Sequence, residues 1–219
     1  MKKRTAFIVA IFSLIPLGQP LIIKTGAVVS TTGFLLSVSE KVYAGDYIYY
    51  YYFYRAYDKA KRGEHHGAIS NYTKAIEINP NEASTYFHRG LSKQKLKDYN
   101  GAIYDYTKAI EINPYDVSAY FNRGFSKQKL KDYNGAIYDY TKAIEINPYD
   151  EIAHNNRGIA KRKIGDDKGG CYDYKKAIAL GNKETEKWYK TDGAFWCRDM
   201  EISPQLIHIA TTKSLKKWN

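Results

Sequence analysis

Residues 83–116 and 117–150 are nearly copies of each other. Only four of the 34 positions differ: Ala83/Val117, Thr85/Ala119, His88/Asn122 and Leu91/Phe125. A 34-residue period is what one helix-turn-helix unit stacked on the next produces. Such a unit cannot bury the apolar stripe of its own helices, so its neighbours must cover it. The chain is therefore expected to be an all-α stack of repeats. The register extends both ways. Upstream, 49–82 ends in Lys74-Ala75-Ile76-Glu77-Ile78-Asn79-Pro80. Downstream, 151–184 keeps Arg157-Gly158, Asp173-Tyr174 and Lys176-Ala177-Ile178.

Local chemistry agrees with this division. Proline cannot continue a helix, and the residue before it avoids helical backbone, so Asn79-Pro80, Asn113-Pro114 and Asn147-Pro148 each close a unit. Asp98 and Asp132 stand before the second helix of their repeats, where a carboxylate caps free amides. Spacings of three and four align Ala102, Ile103, Tyr106, Ala109 and Ile110 along one face of that helix. Arginine recurs at repeat position 7 (Arg55, Arg89, Arg123, Arg157), and in repeats two to four an aspartate precedes the tyrosine of position 24 (Asp105, Asp139, Asp173). We expect each of these arginines to pair with the aspartate across its helix pair.

The pattern resembles the tetratricopeptide repeat family over residues 49–184. Position 4 is large in Tyr52, Tyr86 and Tyr120, with His154 departing. Position 8 is small (Ala56, Gly90, Gly124, Gly158), as is position 20 (Ala68, Ala102, Ala136, Gly170). Position 24 is Tyr72, Tyr106, Tyr140 and Tyr174, and position 27 is Ala75, Ala109, Ala143 and Ala177. Position 32 is Pro80, Pro114 and Pro148, with Asn182 departing where a stack would end. The resemblance implies a right-handed α-solenoid of four repeats (49–82, 83–116, 117–150, 151–184). Residues 185–199 would form a capping segment, with a capping helix over Lys183–Lys190, and 200–219 a basic, loose tail.

The resemblance also implies a ligand groove along the first helices. Position 5 supplies Phe53, Phe87, Phe121 and Asn155; position 9 supplies Tyr57, Leu91, Phe125 and Ile159. Arg162 at position 12 and the position 13 lysines, among them Lys95, Lys129 and Lys163, would line one edge. Such a groove suits a protein or peptide segment with apolar anchors and acidic charge. One subclass of the family grips a carboxylate with Lys and Asn one turn apart; here Phe53 and Tyr57 occupy those places, so that mode is not implied. Part of the aromatic stripe can equally belong to the core between repeats.

Other features narrow the function. The net charge is +11, which draws a protein toward anionic partners. The charges are spread through every repeat, as a solvated helical surface also requires. Helical repeats can read RNA, which leaves nucleic acid as the alternative partner. No phosphate-binding glycine loop, paired nucleophile and base, or metal-ligand spacing is present, so an enzyme, a cofactor or a metal is not expected. His65-His66 reads as a turn between helices. Residues 1–44 open with Lys2-Lys3-Arg4, continue through apolar runs from Ala6 to Leu17 and Gly26 to Val38, and reach Val42-Tyr43-Ala44. This reads as an export signal cut before Gly45, or as a retained membrane anchor. The tyrosines from Tyr47 to Tyr54 would suit a membrane interface if the anchor stays. An exported chain with two cysteines invites a disulfide, here Cys171–Cys197, stapling the cap to the last repeat.

Overall fold

The computed structural model describes residues 38–191 and 195–198. Helix α1 spans Val38–Lys61 and α2 His65–Ile78. Helices α3 (Ala83–Lys95) and α4 (Tyr99–Ile112) form the second pair, α5 (Val117–Lys129) and α6 (Tyr133–Ile146) the third, and α7 (Glu151–Lys163) and α8 (Asp167–Ala179) the fourth. Helix α9 (Lys183–Lys190) and the single turn α10 (Phe195–Arg198) pack on α8. Each pair packs internally, and each second helix packs on the first helix of the next pair. The result is an α-solenoid. Helix α1 starts eleven residues before the first repeat position, and His65 and His66 open α2 rather than filling a turn, which corrects the reading above.

The helix ends follow from single residues. Asp98, Asp132 and Asp166 each accept a hydrogen bond at 2.9 Å from the amide three residues on, at Gly101, Gly135 and Gly169. A side chain at any of these glycines would collide with the capping carboxylate. Asp116 and Asp150 cap α5 and α7, and Asn182 caps α9. The turn inside each pair needs a left-handed residue. Gly63 and Gly165 supply it in the outer repeats, whereas Lys97 and Lys131 adopt φ of 63° and 64° in the inner two, a conformation that strains any residue with a Cβ.

The core is small residues beneath tyrosine rings. Tyr72, Tyr106, Tyr140 and Tyr174 are buried, as are the alanines at positions 20 and 27. A Cβ on Gly90 would lie 2.8 Å from the Tyr106 ring, so glycine at position 8 sets how closely the two helices approach. The expected arginine–aspartate pairs form. Arg89 Nε and Nη2 donate to the two Asp105 carboxylate oxygens at 2.9 and 2.7 Å. Arg123 grips Asp139 at 3.0 and 2.7 Å, and Arg157 grips Asp173 at 2.9 and 2.7 Å. All three carboxylates are fully buried. Each also receives a lysine one turn beyond the arginine: Lys93 at 2.8 Å, Lys127 at 2.8 Å and Lys161 at 2.9 Å. The third arginine nitrogen reaches back across the repeat boundary. Nη1 of Arg89, Arg123 and Arg157 donates to Thr73, Thr107 and Thr141 at 3.0, 3.1 and 3.2 Å.

Asp139→Ala would strand the charges of Arg123 and Lys127 inside the stack. It is expected to destabilise the fold by about 3–5 kcal/mol in urea unfolding, whereas Lys142→Ala, in an exposed pair with Glu145, should cost under about 1 kcal/mol. Equal effects would refute a central role for the buried network.

Burial pushes the Asp173 carboxyl up, but the neighbouring His154 ring, the hydrogen bonds from Arg157 and the charges of Arg157 and Lys161 outweigh it and hold the group at about 2. The folded value lies below the unfolded one, so this stabilisation is complete above about pH 4 and is lost as the pH falls toward 2. Fluorescence of Trp188, packed 4.9 Å from Tyr174, should report the fourth repeat loosening in that window, and Asp173→Asn should remove this acid-dependent step.

Candidate functional site

The rings at position 5 are shared between core and groove. Phe53 packs beside Ala56, Ala68 and Tyr72, with its ring 5.8 Å from Tyr72. Phe87 lies 5.8 Å from Tyr106 and Phe121 5.6 Å from Tyr140. All three are half-buried, so they support the groove more than they form a free floor. Asn155 accepts a hydrogen bond from the Thr185 hydroxyl at 2.8 Å, which ties α7 to the capping helix. The more open apolar surface belongs to position 9. Tyr57 is exposed, and Leu91, Phe125 and Ile159 are half-buried. The lysines one turn on, Lys61, Lys95, Lys129 and Lys163, are all exposed. Lys61 stacks 5.1 Å from the Tyr57 ring and Lys129 4.9 Å from Phe125.

The two ends of this strip differ. At the first repeat, His88 sits among aromatic rings: Tyr57 and Phe87 at 5.5 Å, Phe53 at 5.8 Å and Tyr72 at 6.1 Å. Burial there holds the imidazole below its ordinary value and favours the neutral ring. At the fourth repeat, Asn155, Ile159, Arg162, Lys163, Asp167, Tyr174, Glu184, Thr185 and Trp188 enclose a cavity of about 430 Å³. The Arg162 guanidinium lies 4.6 Å from the Trp196 ring and 5.9 Å from Trp188. Trp196 is held there by a disulfide between Cys171 on α8 and Cys197 on α10, both fully buried.

Profiles of the tetratricopeptide repeat match residues 83–116 and 117–150, and a related TPR profile matches 57–97. Residues 57–150 are tetratricopeptide repeats. Solved structures share the fold. The TPR domain of Arabidopsis OM64 superposes with a TM-score of 0.52 at 24% identity, covering 54% of this chain and 98% of that one. MamA gives 0.61 at 22%, covering 67% and 86%. The first TPR of Spaghetti (RPAP3), bound to the HSP90 peptide SRMEEVD, gives 0.52 at 23%, covering 53% and 93%. No curated protein matches the chain in sequence. These TPR repeats make the chain a scaffold for protein–protein interaction.

Sequence reasoning missed several features of this TPR groove. The His88 cage needs four rings from three helices and has no spacing signature. The cavity at the fourth repeat depends on Trp188 and Trp196 meeting Arg162. Among the described residues, no group of three or more His, Cys, Asp or Glu could hold a metal, and no helix is long and apolar enough to cross a membrane. The apolar segment before Val38 and the basic tail from 200 onward lie outside the described residues.

Proposed function

We propose that the concave strip holds an extended protein segment carrying apolar anchors with acidic residues between them. The observation behind this reading is a pairing repeated in every unit: Tyr57 with Lys61, Leu91 with Lys95, Phe125 with Lys129, and Ile159 with Lys163. Each pair is one helical turn apart, and in the first and third an ammonium group stands over the ring. A partner that covers the apolar group must also answer the ammonium, and a carboxylate does so while steering the encounter. The arginines of position 7 contribute little to such a surface, because in repeats two to four they grip buried carboxylates. The bound peptide in the first TPR of Spaghetti carries two glutamates and an aspartate, which favours an acidic peptide as the first class to test.

An array of extended peptides with leucine or phenylalanine anchors, with and without interspersed glutamate, tests this. Binding is expected for the acidic set. Phe125→Ala should weaken it by about tenfold or more, as removal of a central anchor does. Lys95→Ala combined with Lys129→Ala should flatten its salt dependence. Peptides that bind both variants as well as the parent would overturn the reading.

We also propose that the scaffold works in an oxidising compartment, exported or tethered at a membrane. The buried Cys171–Cys197 pair supports this, since such bonds persist where thiols are not kept reduced. Intact mass of protein from its native host, with and without reductant, is expected to show a bonded pair and a chain that begins at Gly45 if the leader is cut. Free thiols in the native protein would place it in a reducing compartment instead.

A further inference from the structure

The second and third repeats treat the tyrosine of position 24 alike. The Tyr106 hydroxyl donates to Gln94 Oε1 at 2.8 Å, and Tyr140 donates to Gln128 Oε1 at 3.0 Å. Gln94 Oε1 also accepts from the Ser126 hydroxyl of the following repeat at 3.2 Å. In the first repeat the corresponding tyrosine is Tyr72, the corresponding serine is Ser92, and the glutamine is replaced by Ala60. The consequence is visible. The Tyr72 hydroxyl is buried with no hydrogen-bond partner, and Ser92 donates only to its own helix, at the His88 carbonyl 3.1 Å away. Burial pushes the Tyr72 hydroxyl far up, so it stays protonated and able to donate. A buried donor without an acceptor is costly, and the neighbouring repeats show what removes that cost.

We propose that the first repeat holds a subsite for a primary carboxamide, the side chain of a glutamine or asparagine on the bound segment. Its oxygen takes the place of the missing glutamine Oε1, accepting from Tyr72 and from Ser92. What glutamine has beyond alanine is one methylene and the amide group, which is the size of acetamide. The walls are already on the groove side of the stack. Tyr57 meets His88 at 5.5 Å, and His88 lies against Tyr72 at 6.1 Å. Tyr57 is the exposed member of this group, so the bound side chain would enter past it. Neutral His88 adds no charge that would favour a carboxylate over the amide. This rests on the concave strip being the binding surface, and it adds one uncharged, hydrogen-bonding anchor at the strip's N-terminal end.

The probe is acetamide, titrated into the full chain while the methyl resonance of Ala60 and the ring protons of His88 are followed by NMR. With four non-hydrogen atoms, a saturating response with a dissociation constant at or below about 0.1 M is expected. Ala60→Gln fills the subsite from within, so it should raise the melting temperature and abolish the response. Tyr72→Phe should also abolish it. Acetate should bind at least tenfold more weakly. No saturable response in the parent chain, or an equal response in Ala60→Gln, would overturn the proposal. So would a Tyr72→Phe variant that binds acetamide unchanged, since the hydroxyl would then need only a water. The peptide array separates the two readings. Acidic peptides that bind the parent and Ala60→Gln alike, with no acetamide response, leave the groove standing and remove the subsite. An acetamide response without any peptide binding does the reverse.

Discussion

In repeats two to four, the arginine of position 7 engages the inside of its own repeat and the face of the preceding one at the same time. Its planar fork offers two nitrogens to the buried aspartate of the same unit and a third to the threonine of the unit before it. A carboxylate with no exposed surface is tolerable only when its charge and lone pairs are answered, and here arginine and lysine together answer them. The same bonds orient the guanidinium so that its remaining nitrogen points across the boundary. Helix pairing and repeat stacking are therefore geometrically coupled. A unit displaced along its neighbour would lose the threonine contact, and an arginine that swung to keep that contact would leave its aspartate. Apolar burial under the tyrosine rings supplies the drive to stack, but it is non-directional. The polar network specifies the register.

The two ends of the stack show how this network is brought to a stop. In the first repeat, position 23 is Asn71 rather than aspartate, and Arg55 turns outward to the Tyr51 hydroxyl. The position 7 arginine therefore takes no part in a buried pair in this repeat. Helix α1 instead extends upstream, and Tyr49 bonds Thr85 at 2.7 Å, joining first helix to first helix directly. In the fourth repeat, Asp173 keeps Arg157 and Lys161 and gains His154, whose Nδ1 lies 3.6 Å away. Position 25 there is Lys175 instead of threonine, and the residue at the next position 7 is Thr191 rather than arginine. Helix α9 and the turn carrying Cys197 cover that face, and the covalent bond to Cys171 does at this end what stacking does elsewhere.

Much of this was legible from the chain alone, and the reason is periodicity. Proline at position 32, the capping aspartates and the small residues at positions 8 and 20 each act locally, so their meaning follows from spacing. The pairing of Arg89 with Asp105 could also be read, because both recur at fixed places in successive repeats. Thr73 and Lys93 could not be assigned in the same way. The chain has many hydroxyls and lysines, and choosing these required knowing the crossing of three helices. The groove was harder still. Position 5 reads as ligand-facing by resemblance, yet Phe87 and Phe121 are half taken up by packing on Tyr106 and Tyr140. Whether a half-buried ring belongs to core or to site depends on distances that no pattern encodes. The unsatisfied Tyr72 hydroxyl was invisible for a related reason. Ala60 looks like an ordinary small residue on a helix, and its significance appears only when the glutamines of the next two repeats are seen holding the equivalent tyrosines.

The two near-identical repeats divide frame from surface. Every residue of the polar network and every buried tyrosine, alanine and glycine of positions 8, 20, 24 and 27 is the same in both. The four differences all fall on the first helix, at positions 1, 3, 6 and 9. Position 3 is Thr85 where Tyr49 must be received, and Ala119 where it need not be. Position 6 is His88 inside the aromatic cage, and Asn122 where the side chain merely folds back onto the Ser118 carbonyl at 2.8 Å. Position 9 is Leu91 or Phe125 on the open strip. A stack whose register depends on polar contacts inside the pairs leaves the outward face of the first helix unconstrained by those contacts. Side chains there can change the shape and chemistry offered to a partner without disturbing how one repeat sits on the next. The four positions at which the two repeats disagree thus change without altering any residue of the buried polar network.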